Sequence, residues 1–158
     1  MKKVFFMICA VLLIASCKST RNVNDGKSDL DFGSPRVRQV LVNDQMFRVT
    51  EYATDKTYGY TKENPIMVGG GSEGPRNQRR FLNALAGPNG EPVSYQRLGS
   101  CCPFHSKNGM FGNSGMLDKY EIMYEGLETP IILYINMYDS DVLKVPFGFT
   151  SKRDIFRR

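Results

Sequence analysis

The strongest hydrophobic patterns of the chain lie near its carboxyl end. In LDKYEIMYEG, residues 117–126, apolar side chains alternate with polar ones, so that Tyr120, Ile122 and Tyr124 share one face of a half-buried strand. The segment TPIILYINMYD, residues 129–139, is apolar on both faces, which is typical of a strand in the middle of a sheet. The short connection between the two segments predicts that they pair antiparallel.

Strand-like patterns also open the folded part of the chain. Residues 38–53 predict a hairpin around the turn-forming pair Asn43–Asp44. The alternating apolar positions of this hairpin, which we expect to be half-buried, are Val40, Val42, Phe47 and Val49. Further strands are predicted at 66–68 and 92–99. The CCPFH segment that follows, and the stretch rich in glycine, serine and asparagine after it, are interpreted as a loop.

A single short helix is predicted over residues 75–85. Pro75 suits the first helical position, and a Gly-Pro pair two residues after the predicted end is a stop signal. Near the carboxyl end, Phe147 and Phe149 are expected to pack against the sheet. Together these elements predict an α+β fold in one domain, residues 37–158, with a mainly antiparallel sheet partly covered by the helix. The apolar face of that helix consists of Phe81, Leu82 and Leu85.

The amino terminus has the three-part pattern of a secretory signal. Two lysines precede an apolar run from Val4 to Ile14, and the small residues Ala15 and Ser16 follow it. The run covers about a dozen residues, fewer than the roughly 20 that a permanent membrane-spanning helix needs. We therefore expect residues 1–16 to be removed as a lipoprotein signal peptide.

The residues around the predicted cleavage point resemble a bacterial lipobox, Ile14-Ala15-Ser16-Cys17. In that motif the cysteine receives a diacylglyceryl group, becomes the first mature residue and is then acylated on its new amino group. Cys17 is therefore the predicted lipidation site, and palmitate is an expected acyl chain. Two or three acyl chains hold a protein on a membrane far more firmly than one chain does.

Residues 17–36 predict a flexible tether between the lipid and the domain. They are poor in large apolar side chains and rich in Ser, Asn, Asp, Gly and Lys. No aspartate follows Cys17 directly, which resembles lipoproteins that are released to the outer membrane. The first acid, Asp25, comes too late for the acidic cluster that resembles a surface-export signal in Bacteroidota lipoproteins. We expect a cell-envelope protein anchored by lipid in the outer membrane and facing the periplasm, with an envelope protein or glycan as partner.

The charge balance of the mature chain is mild. Removal of the signal takes two of the 21 basic residues and leaves 19 Lys and Arg against 16 Asp and Glu. The basic residues are scattered, so the sequence does not indicate a nucleic-acid partner. The densest basic group, at residues 152–158, is interpreted as a solvated tail.

Only Cys101 and Cys102 remain as free thiols once Cys9 is removed with the signal and Cys17 is lipidated. In an oxidising compartment exposed thiols tend to pair, so these two are expected to be buried, joined to each other or reactive. A disulfide between neighbours must bridge Cα atoms about 3.8 Å apart, below the usual range of roughly 4.4–6.8 Å, and such a bond is strained and easily reduced. Two interpretations stay open: a structural thiol pair, and a redox or catalytic site in which His105 acts as a base.

Other chemistry is weakly represented in the sequence. Cys101, Cys102 and His105 supply at most three ligands from one segment, so no metal site is predicted. GGGSEG, residues 69–74, satisfies a dinucleotide-binding pattern, but Pro75 removes an amide donor and no long parallel βαβ unit follows. We interpret the glycines as a turn before the helix and expect no cofactor. A candidate anion site remains at the start of the helix, formed by Arg76, Arg79 and Arg80.

Several phrases between residues 58 and 150 resemble a family of small Bacteroidota lipoproteins without an established activity. These phrases are YGYTKENPIMVGG, GPRNQRRFLNALAGPNGEPVSYQRLGSCCPF and LDKYEIMYEGLETPIILYINMYD. Some similar sequences carry the name 2-dehydro-3-deoxyphosphooctonate aldolase, an enzyme built as a (β/α)₈ barrel of about 250 residues. A mature chain of this length and strand content does not build that barrel. The sequence therefore favours a lipid-anchored protein with a non-catalytic binding or structural domain, with a small thiol-dependent redox protein or enzyme as the alternative.

Overall fold

The structure, a computed structural model, describes residues 37–152. The predicted signal peptide, the lipidation site Cys17, the predicted tether and the last residues of the basic tail lie outside the described residues. The elements of the described part are β1 (Leu41–Asn43), β2 (Met46–Phe47), β3 (Glu51–Tyr52), β4 (Ile66–Met67), a 3₁₀ turn (Gly71–Glu73), α1 (Gly74–Leu82), β5 (Leu85–Ala86), β6 (Ser94–His105), β7 (Ser114–Met123), β8 (Ile131–Asn136), β9 (Lys144–Val145) and β10 (Thr150–Ser151).

A four-stranded sheet in the order β4-β8-β7-β6 is the centre of the fold. β6 and β7 form a long antiparallel hairpin, β7 and β8 are also antiparallel, and β4 runs parallel to β8. The two strongest strand patterns of the sequence thus pair as predicted, and the one that is apolar on both faces lies inside the sheet. Together with α1 this confirms the predicted α+β class.

Helix α1 covers one face of this sheet and closes the hydrophobic core. Phe81 and Leu82 of the helix are fully buried, as are Ile122, Leu133 and Ile135 of the sheet. Burying a side chain of this size stabilises the folded state by about 1.5–3 kcal/mol relative to its exposed state. The helix ends three residues earlier than predicted. Leu85 still reaches the core, but from β5, which pairs antiparallel with β10.

The predicted amino-terminal hairpin is confirmed in a shorter form. β1 and β2 pair antiparallel, and the side chain of Asn43 accepts a hydrogen bond from the amide of Gln45 in the turn. The expected half-burial of the apolar positions is wrong for Val40 and Val42, which are 50% and 45% exposed. Both lie in or next to β1, which among the described strands pairs only with β2 in a two-stranded sheet. The rest of the predicted hairpin forms β3, which pairs parallel with β9.

The interpretation of CCPFH as a loop is wrong, because these residues continue β6. The strand tolerates a proline and a glycine because it is an edge strand and carries two bulges. Leu98 is the extra residue between the pairs Arg97↔Tyr120 and Gly99↔Lys119. Cys102 is the extra residue between the pairs at Cys101 and Pro103.

The prediction for the carboxyl-terminal phenylalanines is half right. Phe149 is buried, and its ring meets that of Tyr124 edge-on with 6.0 Å between the centroids. Phe147 is 56% exposed and does not pack against the sheet. Its carbonyl oxygen instead accepts a hydrogen bond from Tyr60, and its ring lies 4.9 Å from the ammonium group of Lys56. No helix within residues 37–152 has the length and apolar character needed to cross a membrane.

Candidate functional site

A buried carboxylate, Asp118, lies between α1 and the sheet in the middle of β7. Its Oδ1 accepts hydrogen bonds from Ser100 Oγ and Arg97 Nη2, both at 2.7 Å, and its Oδ2 accepts one from Gln78 Nε2 at 2.9 Å. The hydroxyl of Tyr120 donates to Gln78 Oε1 at 2.9 Å. No buried side-chain nitrogen or oxygen of this network lacks a hydrogen-bond partner, so the network joins helix to sheet without leaving a buried polar group unsatisfied.

The electrostatics of the network keep Asp118 ionised. Its side chain is only 3% exposed, and burial by itself raises the pKa of the carboxyl. Hydrogen bonds from Arg97, Ser100 and Gln78 outweigh that effect, so the pKa of Asp118 lies below its ordinary value. Asp118 therefore acts as a fixed anion that holds three elements together, and it has no proton to offer at neutral pH.

The two cysteines form a disulfide one residue beyond this network. Cys101 and Cys102 are bonded to each other, with 3.8 Å between their Cα atoms. Cys102 has a φ of 54°, in the left-handed region that residues with a side chain rarely adopt. That conformation coincides with the bulge, so the disulfide occupies the place where β6 absorbs its extra residue. Both cysteines are half-buried.

His105 does not share the disulfide's face of the sheet. Cys101 pairs with Leu117 of β7, whereas His105 pairs with Ser114, three residues away along the same strand. Directly paired residues lie on one face and successive residues alternate between faces, so Cys101 and His105 project from opposite faces. The side chain of His105 is exposed at the end of β6. The structure therefore places the histidine and the disulfide on different faces of the sheet.

The three arginines of the predicted anion site do not form an open site for an anion. Arg76 Nη1 lies 3.2 Å from Glu73 Oε2, and Arg80 Nη1 lies 3.5 Å from the same oxygen. Arg80 further donates to the carbonyl of Asp44 and to Asn77 Oδ1, so it braces the β1–β2 turn. Arg79 is exposed and forms no ion pair with a described residue. An internal carboxylate thus already occupies the place that two of the arginines offer to an anion.

A polar cleft of about 230 Å³ lies at the β4 edge of the fold. Its walls come from the segment after β3, from the residues around β4 and from the segment that leads into β9. The polar side chains that line it are Thr54, Asp55, Tyr58, Asn64, Asp141 and Lys144. The cleft leaves no signal in the sequence, because its two sides lie more than 70 residues apart in the chain and neither side carries a recognisable motif.

One carboxylate of the cleft is fixed in place by its neighbours. Asp55 Oδ1 accepts hydrogen bonds from the amide and hydroxyl of Thr57 at 2.8 and 2.7 Å, and Oδ2 accepts one from Asn64 Nδ2 at 3.0 Å. The bond from the Thr57 amide, followed by that from its hydroxyl, lowers the pKa of Asp55. The group is therefore a preorganised acceptor at neutral pH.

Other side chains of the cleft supply donors as well as a second acid. Burial raises the pKa of Tyr58 to about 12, so its hydroxyl keeps its proton. That hydroxyl accepts a hydrogen bond from the amide of Lys144 at 3.3 Å and donates to no described residue. The ammonium group of Lys144 and the carboxylate of Asp141 form no ion pair within residues 37–152. Asp141 Oδ1 accepts a hydrogen bond from the amide of Val142 at 2.7 Å, which leaves Oδ2 as its open acceptor. The cleft thus combines two open donors with one open acceptor among the described residues.

Comparisons with known proteins add no family to this picture. The chain matches no protein-family model, no curated protein and no solved structure. The resemblance to small Bacteroidota lipoproteins stays a prediction from the sequence. Among the described residues, no three His, Cys, Asp or Glu side chains converge in a way that could hold a metal ion.

We expect Asp118→Asn to destabilise the fold by about 1–3 kcal/mol at neutral pH, because buried donors lose a charged acceptor. The lowered pKa sets the pH dependence. The contribution of Asp118 is complete above its unfolded value of 3.8 and is lost as the pH falls through the lower folded value. Urea unfolding of both proteins between pH 7 and pH 2 should show their difference constant at neutral pH and shrinking in acid.

The matched control for this experiment is Asp44→Asn, at an exposed carboxylate in the β1–β2 turn. This variant should follow the wild-type stability curve at every pH. A difference between wild type and Asp118→Asn that stays the same down to pH 2 would contradict the ionic role of Asp118.

Proposed function

We propose that the protein is a lipid-anchored envelope protein whose folded domain binds a glycan in the polar cleft without catalysing a reaction. The observation that carries the binding part is a set of groups in that cleft with hydrogen-bonding capacity left over: the proton of the Tyr58 hydroxyl, the Lys144 ammonium and Oδ2 of Asp141. The anchor rests on the lipobox at Cys17 and on the composition of the tether.

The chemistry of the cleft favours a hydroxyl-rich neutral ligand. Each sugar hydroxyl both donates and accepts, so a sugar ring pairs at once with carboxylates and with ammonium, phenol or amide donors. An anionic ligand would meet two acids, Asp55 and Asp141, and a simple cation would meet Lys144. Pockets for drug-sized molecules measure about 300–1,000 Å³, so this smaller cleft suits one sugar unit of a longer chain.

The position of the disulfide supports a structural role for the cysteines. It forms part of a paired strand, it fills a bulge, and His105 lies on the other face. The redox alternative retains one supporting observation, since both cysteines are half-buried on an edge strand where a small reductant can reach them. An aldolase activity is no part of the proposal, because the sheet of the described residues has four strands in mixed directions and no barrel.

The anchor is tested by replacing its cysteine. We expect [³H]palmitate to label the wild-type protein in growing cells and Cys17→Ala to remain unlabelled and to leave the membrane fraction, because the thiol is the attachment point of the diacylglyceryl group. Cys9→Ala, within the predicted signal peptide, is the matched control and should be labelled normally. Label on Cys17→Ala would refute the anchor.

The cleft is tested by titrating the purified protein with peptidoglycan fragments and with delipidated lipopolysaccharide chains, followed by calorimetry. We expect saturable binding to one of these glycans. Lys144→Met should weaken it about 10-fold or more, because a hydrogen bond to a charged group contributes roughly 1.5–3 kcal/mol. Lys62→Met, at an exposed lysine outside the cleft, should bind like wild type. Equal weakening by both variants, or no binding to either glycan, would contradict the proposal.

The thiol pair is tested by the double variant Cys101→Ser/Cys102→Ser. If the disulfide is structural, the variant should lose about 0.5–3 kcal/mol of stability, the range of most destabilising substitutions, and should still bind glycan. Wild-type protein in dithiothreitol should lose a similar amount. An unchanged stability together with the loss of a thiol–disulfide exchange activity would favour the redox alternative instead.

A further inference from the structure

The tip of the β6–β7 hairpin exposes two large apolar side chains. Met110 is 73% and Phe111 is 68% exposed, the highest fractions among the large hydrophobic residues that the structure describes. They are neighbours in the chain, and Lys107 of the same loop is also exposed. Both side chains are mostly in contact with water in the folded domain. Their transfer from water into an external apolar phase would therefore be favourable.

The tip is held in a defined shape. Phe111 and Ser114 exchange two backbone hydrogen bonds, at 3.0 and 3.1 Å, around Gly112 and Asn113. Both of these residues have positive φ, 54° and 66°, as in the type I′ turn of tight hairpins. The two apolar side chains are therefore presented by a closed turn.

A second polar cluster fixes the base of the loop. Asp139, which follows β8, accepts hydrogen bonds from Ser106 Oγ and Asn108 Nδ2 at 2.7 Å each and from Asn136 Nδ2 at 3.0 Å. A Cβ on Gly109 would lie 2.3 Å from the Ser114 backbone, so only glycine allows the loop to fold back this closely. Little conformational entropy remains to be lost when the tip docks.

The described chain begins at the same end of the sheet as the tip. The tip lies beyond the amino end of β7, which is also the end where β8 and β4 finish. The carbonyl of Asp141, whose amide bonds to the carbonyl of Met67 at the finish of β4, accepts a hydrogen bond from Gln39 at 2.8 Å. Gln39 is the third residue of the described part. The first described residues therefore lie at the end of the sheet beyond which the hairpin tip extends.

We propose that Met110 and Phe111 insert into the phospholipid bilayer to which the protein is anchored, as a second membrane contact beside the lipid on Cys17. This inference rests on the lipid anchor of the proposed function. The predicted flexible tether of about 20 residues spans roughly 20–25 Å, so it keeps this end of the domain close to the bilayer. Lys107 suits the phosphate groups of the lipid surface, and the apolar pair suits the acyl region beneath them.

The chain contains no tryptophan, so a single Phe→Trp substitution gives a clean fluorescent reporter. Phe111→Trp is compared with Phe147→Trp, a matched control at another exposed phenylalanine. Phe147 lies at the opposite end of the sheet, since the neighbouring Phe149 contacts Tyr124 just after the finish of β7. Ten residues of β7 put about 30 Å between the two ends.

Each lipidated full chain is reconstituted into vesicles of phosphatidylethanolamine and phosphatidylglycerol that carry brominated acyl chains. We expect the emission of Phe111→Trp to shift to shorter wavelength and to lose most of its intensity, while Phe147→Trp keeps the spectrum of a water-exposed indole. Unquenched emission from Phe111→Trp, or equal quenching at both positions, would overturn the inference.

The intact mass of the same samples reports on the anchor separately. If acylated Cys17 is present and Phe111→Trp is not quenched, the bilayer contact of the tip is refuted and the anchor stands. If the acyl chains are absent, the anchor is refuted. The tip is then judged on the mature chain held to nickel-chelating vesicles by an amino-terminal histidine tag, where quenching of Phe111→Trp supports its insertion and lack of quenching refutes it.

Discussion

The carboxylate of Asp118 is the constraint on which the arrangement of helix and sheet depends. An ion buried to this extent is tolerated only when donors surround it, and two elements supply three of them: Gln78 from α1, and Arg97 and Ser100 from β6. The requirement fixes the rotation of α1, because Gln78 must face the sheet between apolar neighbours. It also fixes the register of β6 on β7, since a slip of one residue would turn Ser100 away from Asp118. The hydrophobic core holds the layers together, and this network selects one way of stacking them.

The strands can be predicted from the sequence where hydrophobic periodicity is strong. They cannot be predicted in this way where a strand lies at the edge of the sheet. β7 and β8 are recognisable because burial imposes an alternating or continuous apolar pattern on them. β6 carries no such pattern, because an edge strand with two bulges and a proline satisfies looser demands than a central one. The turn Gly112–Asn113 had a readable signal, since a glycine–asparagine pair between strands is typical of a two-residue hairpin. Leu85 is predicted to lie in the helix and lies in β5 instead, but its predicted burial is confirmed. The spacing of apolar residues thus indicates burial more directly than it indicates secondary structure.

The candidate sites were predictable to very different degrees. Adjacent cysteines are visible in any sequence, and the disulfide between Cys101 and Cys102 is one of the forms considered for them. The sequence does not predict the face of the sheet from which His105 projects, because the bulge at Cys102 changes the alternation of side chains along β6. Clusters formed by distant segments leave no local trace, and the cleft is of this kind. Tyr58 and Lys144 meet only because β3 pairs with β9 and β4 lies beside β8.

The proposed anchor and hairpin tip would together set the position of the proposed cleft relative to the bilayer. A lipid on a flexible tether confines the domain near the bilayer but leaves its orientation free. Confinement also turns any further contact into an intramolecular event at high effective concentration. Under the proposal, two apolar side chains on a closed turn would then suffice, although they would be too weak for a free protein. A second contact at the tip would remove the rotational freedom of the domain. The cleft at the β4 edge would then be held at a fixed height above the lipid, where it could bind a polymeric glycan through one sugar unit.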